Sequence, residues 1–202
     1  MKKNKKKVER DPNDFYETPN WCTERLLEKV SSRLQVGNWL EPCAGAGAII
    51  RTIKNSGITP KFTAVELQDK FKPYLENIID PTEVFITDYM TWNPKKNIKF
   101  DVAIGNPPYK FAQQVIEHSM QHAKQVCMLL RLNFLGSEKR CEWLKKTNPD
   151  IFVLPNRPSF RGKGTDATEY AWFFWDDKSN GKITILDLTS KLVRSAEKNL
   201  PK

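Results

Sequence analysis

Apolar residues along this chain fall into short runs separated by amphipathic stretches. Asn38–Pro42, Lys61–Glu66, Glu83–Thr87, Phe100–Ile104 and Gln125–Leu130 each read as a strand. Between and around them, helical spacing predicts helices over Trp21–Leu34, from the residues after Gly47, and over Gln68–Ile79, Phe111–Ala123 and Ser137–Lys146. In the first of these Leu26, Leu27, Val30 and Leu34 form one stripe, with Thr18 or Asn20 as the expected cap. Pro73 either kinks the helix it falls in or marks its true first turn. Strand and helix in alternation predict an α/β fold: a mostly parallel central sheet with helices on both faces. The last third changes character. Ile151–Leu154 and the aromatic-rich Glu169–Trp175 predict an antiparallel C-terminal hairpin, and Lys182–Leu188 a further edge strand. We expect one domain over residues 14–189, preceded by a basic tail (1–13) and followed by a polar one (190–202).

Charge adds a partner class. The 202 residues hold 33 basic and 24 acidic side chains, a net charge of +9, which favours a polyanion such as nucleic acid. Residues 1–10 supply +5 of this and the rest +4, so the tail is either a salt-sensitive phosphate contact or simply a solvated end. Cys22, Cys43, Cys127 and Cys141 include no C-x-x-C pair, and His118 and His122 lack a third ligand, so we expect neither metal nor disulfide. That cysteine usage suits a reducing cytoplasm. No apolar run approaches the roughly 20 residues needed to span a bilayer, and the Lys-rich start has no apolar region behind it, so neither a membrane partner nor a secretory signal is expected. Nothing in the sequence requires a protein partner.

The chemistry gathers where strands end. After Asn38–Pro42 comes Glu41-Pro42-Cys43-Ala44-Gly45-Ala46-Gly47, small residues leading into an apolar helix, a geometry that lets a ligand approach backbone N–H groups. The third glycine of the dinucleotide fingerprint and the Lys-Ser/Thr of a phosphate loop are both missing. Glu41 would repel phosphates and suits a cationic, amino-bearing ligand instead. Glu66 ends the next strand, where a carboxylate can accept both hydroxyls of a ribose, and Asp88 follows the third, placed to accept from an adenine amino group; either is otherwise a solvated strand-end carboxylate.

Asn106-Pro107-Pro108-Tyr109 leaves the fourth strand after Gly105. Two prolines remove two donors and leave a rigid, acceptor-rich corner able to grip a flat amino-bearing group; the plainer alternative is an Asn-Pro turn with a packed tyrosine. Farther on, the loop Pro155–Asp166 carries Arg157, Arg161 and Lys163 for phosphates and Phe160 for stacking on an unstacked base, or is a solvated hairpin loop.

Taken together, Asn-Pro-Pro-Tyr at 106–109, Glu-Pro-x-Ala-Gly-x-Gly at 41–47 and Phe-Tyr-x-Thr-Pro at 15–19 resemble the S-adenosylmethionine-dependent DNA adenine-N6 methyltransferases. Arg-Pro-Ser-Phe at 157–160 and Tyr-Ala-Trp-Phe-Phe-Trp at 170–175 resemble the small phage and prophage members of that group. The resemblance covers most of residues 14–176 and implies a Rossmann-like methyltransferase fold, S-adenosylmethionine as cofactor and DNA as partner. It implies that Tyr16, Thr18, Pro19, Glu41, Ala44, Gly45 and Gly47 hold the methionine part of the cofactor, Glu66 the ribose and Asp88 the adenine. Asn106, Pro107 and Tyr109 would bind the target base and Phe160 would stack on it. Methyltransferases acting on RNA bases or glutamine side chains share the tetrapeptide, and no separate target-recognition domain follows the fold, which leaves long-site specificity open. A nucleic-acid-binding protein without catalysis is a further alternative.

Overall fold

A computed structural model describes residues 17–95, 98–160 and 165–188. The chain builds one eight-stranded sheet in the order β3-β2-β1-β4-β5-β7-β6-β8. Five strands run parallel: β1 (Asn38–Pro42), β2 (Lys61–Glu66), β3 (Val84–Ile86), β4 (Phe100–Gly105) and β5 (Ala123–Arg131). β7 (Tyr170–Trp175) lies antiparallel between β5 and β6 (Asp150–Val153), so the C-terminal hairpin enters the sheet rather than flanking it. β8 (Ile183–Ile185) pairs parallel with β6 at the far edge. This is a Rossmann-like architecture, with the reversal in strand order falling between β1 and β4. In such sheets the crevice opens at the carboxyl ends of the two strands flanking the reversal.

Strand alternation divides the core into two layers. Trp39, Phe62, Ala64, Val102, Ile104, Cys127, Leu129, Trp172 and Phe174 face α1 (Asn20–Val30) and α2 (Ala48–Asn55). Leu40, Val65, Ala103, Val126, Met128, Leu130, Ala171 and Phe173 face the other way, onto α4 (Ala112–His122). The indole N–H of Trp172 donates to the Cys22 carbonyl at 2.8 Å, tying α1 to the middle of β7. Below the sheet, Arg33 meets Asp150 at 2.6 Å and Asp176 at 2.8 and 2.5 Å.

Several elements are shorter than periodicity predicts. The first helix stops at Val30; Leu34 is buried but lies beyond a turn. Neither Thr18 nor Asn20 caps it: Pro19 occupies the cap position, with no side-chain bond, and Thr18 is used elsewhere. The helix expected over Gln68–Ile79 is a 3-10 turn, Asp69–Phe71, followed by the short α3 (Lys72–Glu76), with Pro73 in its first turn. The helix expected over Ser137–Lys146 likewise divides into a 3-10 turn, Glu138–Arg140, and α5 (Cys141–Thr147). Among the described residues no helix is long and apolar enough to cross a membrane, and no group of His, Cys, Asp or Glu could hold a metal ion. The expected tails, residues 1–13 and 190–202, lie outside the described residues.

Candidate functional site

At the reversal point the ends of β1 and β4 approach closely because Gly105 has no side chain; a Cβ there would stand 3.0 Å from the Pro42 carbonyl oxygen. Beside this contact opens a cavity of about 580 Å³. Four stretches converge on it: Glu17 and Thr18 before α1, the loop after β1, the end of β2 with Glu66, and Asp88 beyond β3, with Asn106 beside them.

The loop after β1 turns through Cys43, at φ 57°, Gly45 at 53° and Gly47 at 77°. Three of its N–H groups are already engaged. Ala44 N donates to the Val65 carbonyl at 3.0 Å, Gly45 N to the Glu66 carboxylate at 2.7 Å and Gly47 N to the Ala44 carbonyl at 2.9 Å. Those three N–H groups are therefore directed into the protein rather than towards a ligand. Gly47 lies outside the cavity lining: it heads α2, and a Cβ on it would fall 2.4 Å from the Ile78 side chain.

Two buried carboxyls face the cavity in different states. Glu66 has both oxygens occupied, one by Gly45 N and the other by Gln68 N at 2.8 Å, so a ribose would share them through their remaining lone pairs. Glu41 is 2% exposed, and its Oε2 meets no donor among the described residues. Burial pushes its pKa well above the ordinary carboxylate range; the Ile50 N–H and the charge of Arg51 pull the other way without cancelling it, and Glu66 adds to the rise. A buried acid with an open acceptor is a fitted partner for a ligand ammonium. Asp88 is exposed, its carboxylate accepting from Met90 N at 2.9 Å. The exposed Leu67, Met90 and Phe111 also line the cavity, an apolar rim suited to a flat ring.

The tetrapeptide stands at one wall. The side-chain amide of Asn106 donates through Nδ2 to Thr18 Oγ1 at 3.1 Å, and its Oδ1 accepts from the Tyr109 hydroxyl at 3.2 Å. The amide is thus bonded at both its nitrogen and its oxygen. Pro107 is buried, and its carbonyl accepts from none of the described residues. Neither Pro107 nor Tyr109 lines the cavity, and Pro19 lies outside it too. Tyr109 instead turns towards the start of β7: its ring lies 5.7 Å from that of Tyr170, and the Arg131 guanidinium sits 4.5 Å over its face. Phe160 packs edge-on against the same Tyr170 at 5.0 Å, so the base-stacking candidates form one aromatic group. Arg157 is exposed. Tyr16, Arg161 and Lys163 lie outside the described residues.

Sequence reading missed Arg131, Tyr170, Asp166, Leu67, Met90 and Phe111. Phe111, Leu67 and Met90 were findable, each lying within two residues of a singled-out position; the other three reach the site only through the fold.

No family model matches the chain. Over 103 residues it is 30% identical to the Type II methyltransferase M.CvrRI of Paramecium bursaria Chlorella virus XZ-6E, covering 51% of this chain and 26% of that protein. The match thus spans about a quarter of the relative's length. Among solved structures, a Pyrococcus horikoshii protein provisionally assigned as an RNA methyltransferase superposes with a TM-score of 0.62 at 14% identity, over 83% of this chain and 88% of that one. An S-adenosylmethionine-dependent methyltransferase from Clostridium acetobutylicum superposes at 0.52 and 14% identity, over 79% and 91%.

Proposed function

We propose that the chain transfers a methyl group from S-adenosylmethionine to the N6 amino group of an extruded adenine in DNA. The observation that carries this reading is the meeting at one cavity of the buried acid Glu41, one oxygen of which meets no donor among the described residues, and the side chain of Asn106, which heads the acceptor corner. The likeness to a viral type II methyltransferase supports DNA as the acceptor.

The residues fit the cofactor. Glu41 would take its ammonium and Glu66 its ribose, while Asp88 with Leu67, Met90 and Phe111 would frame its adenine. When bound, S-adenosylmethionine supplies an electrophilic methyl group. The rest of the work falls to the acceptor corner. An adenine amino nitrogen is a poor nucleophile because its lone pair is delocalised into the ring. Asn106 Oδ1 and the Pro107 carbonyl would accept its two hydrogens and favour a pyramidal nitrogen with a localised lone pair. Because Thr18 and Tyr109 hold the Asn106 amide from both ends, that acceptor is oriented before the base arrives. A paired adenine must leave the helix to reach it, and Tyr109 and Phe160 would offset part of the unstacking cost.

The test is incubation with methyl-labelled S-adenosylmethionine and DNA, RNA or protein, followed by nucleoside analysis. Label in N6-methyladenine of DNA is the expected result. Label confined to RNA or protein would overturn the acceptor, and no binding of S-adenosylmethionine would overturn the enzyme.

A further inference from the structure

Arg131 is the last residue of β5, and the antiparallel register with β7 sets it directly opposite Tyr170. Its Nε donates to the Tyr170 hydroxyl at 3.1 Å, and that hydroxyl donates to the Asp166 carboxylate at 2.6 Å. Burial and the Asp166 bond together raise the Tyr170 pKa to about 12, so the phenol remains a donor. The guanidinium plane is thereby anchored against the ring of Tyr109. Among the described residues no carboxylate lies within ion-pair distance of Arg131. A half-buried guanidinium held by a phenol hydroxyl and an aromatic face, with Asp166 reached only through that phenol, is placed to orient the ring. Tyr109 in turn donates to the Asn106 oxygen, so the polar contacts form one chain: Asp166, Tyr170, Arg131, Tyr109, Asn106, Thr18.

We propose that Arg131 is a positioning residue for the methyl acceptor: it backs one face of Tyr109, and through the Tyr109 hydroxyl it orients the Asn106 oxygen towards the incoming amino group. With that face covered, a base stacks only on the opposite face of Tyr109. This rests on the methyl-transfer reading above. Arg131 does not line the cavity, so cofactor binding is expected to be insensitive to it.

The experiment compares Arg131→Lys, Arg131→Met and Tyr170→Phe with the parent protein. Arg131→Lys keeps the charge but loses the planar fork, and Tyr170→Phe keeps the ring but loses the anchor. We expect both Arg131 variants to lose kcat on the order of 10²-fold, the scale of a small misplacement of a reacting group. KM for DNA and its salt dependence should stay within about threefold, cofactor affinity and melting temperature should be unchanged, and Tyr170→Phe should lose kcat by a smaller factor. Full kcat in Arg131→Lys would overturn the proposal. So would a loss confined to KM with the log-log salt slope lowered by about 1, the signature of a phosphate contact. If the Arg131 variants do not fold, Tyr170→Phe decides: unchanged kcat overturns the proposal. A readout independent of turnover is the side-chain amide resonance of Asn106, expected to shift in Arg131→Met. If that resonance shifts while the parent protein methylates no acceptor, the positioning role stands and the methyl-transfer reading falls; if it does not move, the positioning role falls.

Discussion

The two halves of the site are built on opposite plans. On the proposed cofactor side, the loop after β1 has turned the N–H groups of Ala44, Gly45 and Gly47 inward and left a buried acid, Glu41, with an oxygen that meets no donor among the described residues. On the acceptor side, Asn106 is gripped at both ends, and a run of contacts leads from it to Asp166. In the proposed reading the first half would be completed by its ligand and the second would be finished before a substrate arrives. A small cofactor that must come and go would suit a site whose buried acid ionises against a desolvation cost as the ligand ammonium pairs with it, which moderates affinity. A weak nucleophile needs acceptors that do not reorganise during the reaction, and a pre-bonded amide meets that need.

The sharpest way to break this contrast is Asn106→Ala. It should lower kcat on the order of 10²–10³-fold, as removal of a preorganised polar group does, while S-adenosylmethionine affinity, read by calorimetry, changes little. A variant that methylates normally would remove the acceptor half of the argument. Glu41→Gln should do the reverse, weakening cofactor binding roughly 30-fold, or about 2 kcal/mol, the lower end for losing one member of a buried charge pair. Its pH dependence is diagnostic. Because burial raises the Glu41 pKa, an incoming ammonium must find or create the carboxylate form; affinity should strengthen as pH rises, level off above the raised pKa, and binding should release a proton. Glu41→Gln should abolish both the slope and the proton release, measurable in buffers of different ionisation enthalpy. The smallest effect on either half should come from the clamp below the sheet. Burial tends to raise the Asp176 pKa, but the Arg33 bonds outweigh it and hold it at about 2, from an ordinary 3.8. The group is depressed in the fold, so its stabilisation is full above about pH 4 and is lost as pH falls towards 2. The amount is about 2 kcal/mol. Asp176→Asn should flatten that acid limb in chemical denaturation while leaving cofactor affinity and kcat at moderate pH unchanged.

The strands of the sheet were legible because fully buried parallel strands are unbroken apolar runs, and β1, β2 and the start of β4 fall where such runs predict. Helices were less so. Pro73 and the 3-10 turns before α3 and α5 interrupt stripes whose spacing alone suggested longer helices. Thr18 shows the limit most plainly: a threonine before a helix reads as a cap, yet its hydroxyl accepts from Asn106, 88 residues away.

By itself the sequence determined the order of strands and helices, the carboxylates at the strand ends and the acceptor tetrapeptide, because periodicity and turn chemistry are local. Only the tertiary structure decided which of those groups remain available. It closed the Ala44 and Gly45 N–H groups onto β2, occupied both oxygens of Glu66, and left one oxygen of Glu41 without a donor among the described residues. It also brought Arg131 and Tyr170 to Tyr109 through the β5–β7 register, a pairing of strands distant in sequence. Hydrogen-bond capacity belongs to the residue type, but whether that capacity is spent depends on what the fold packs beside it.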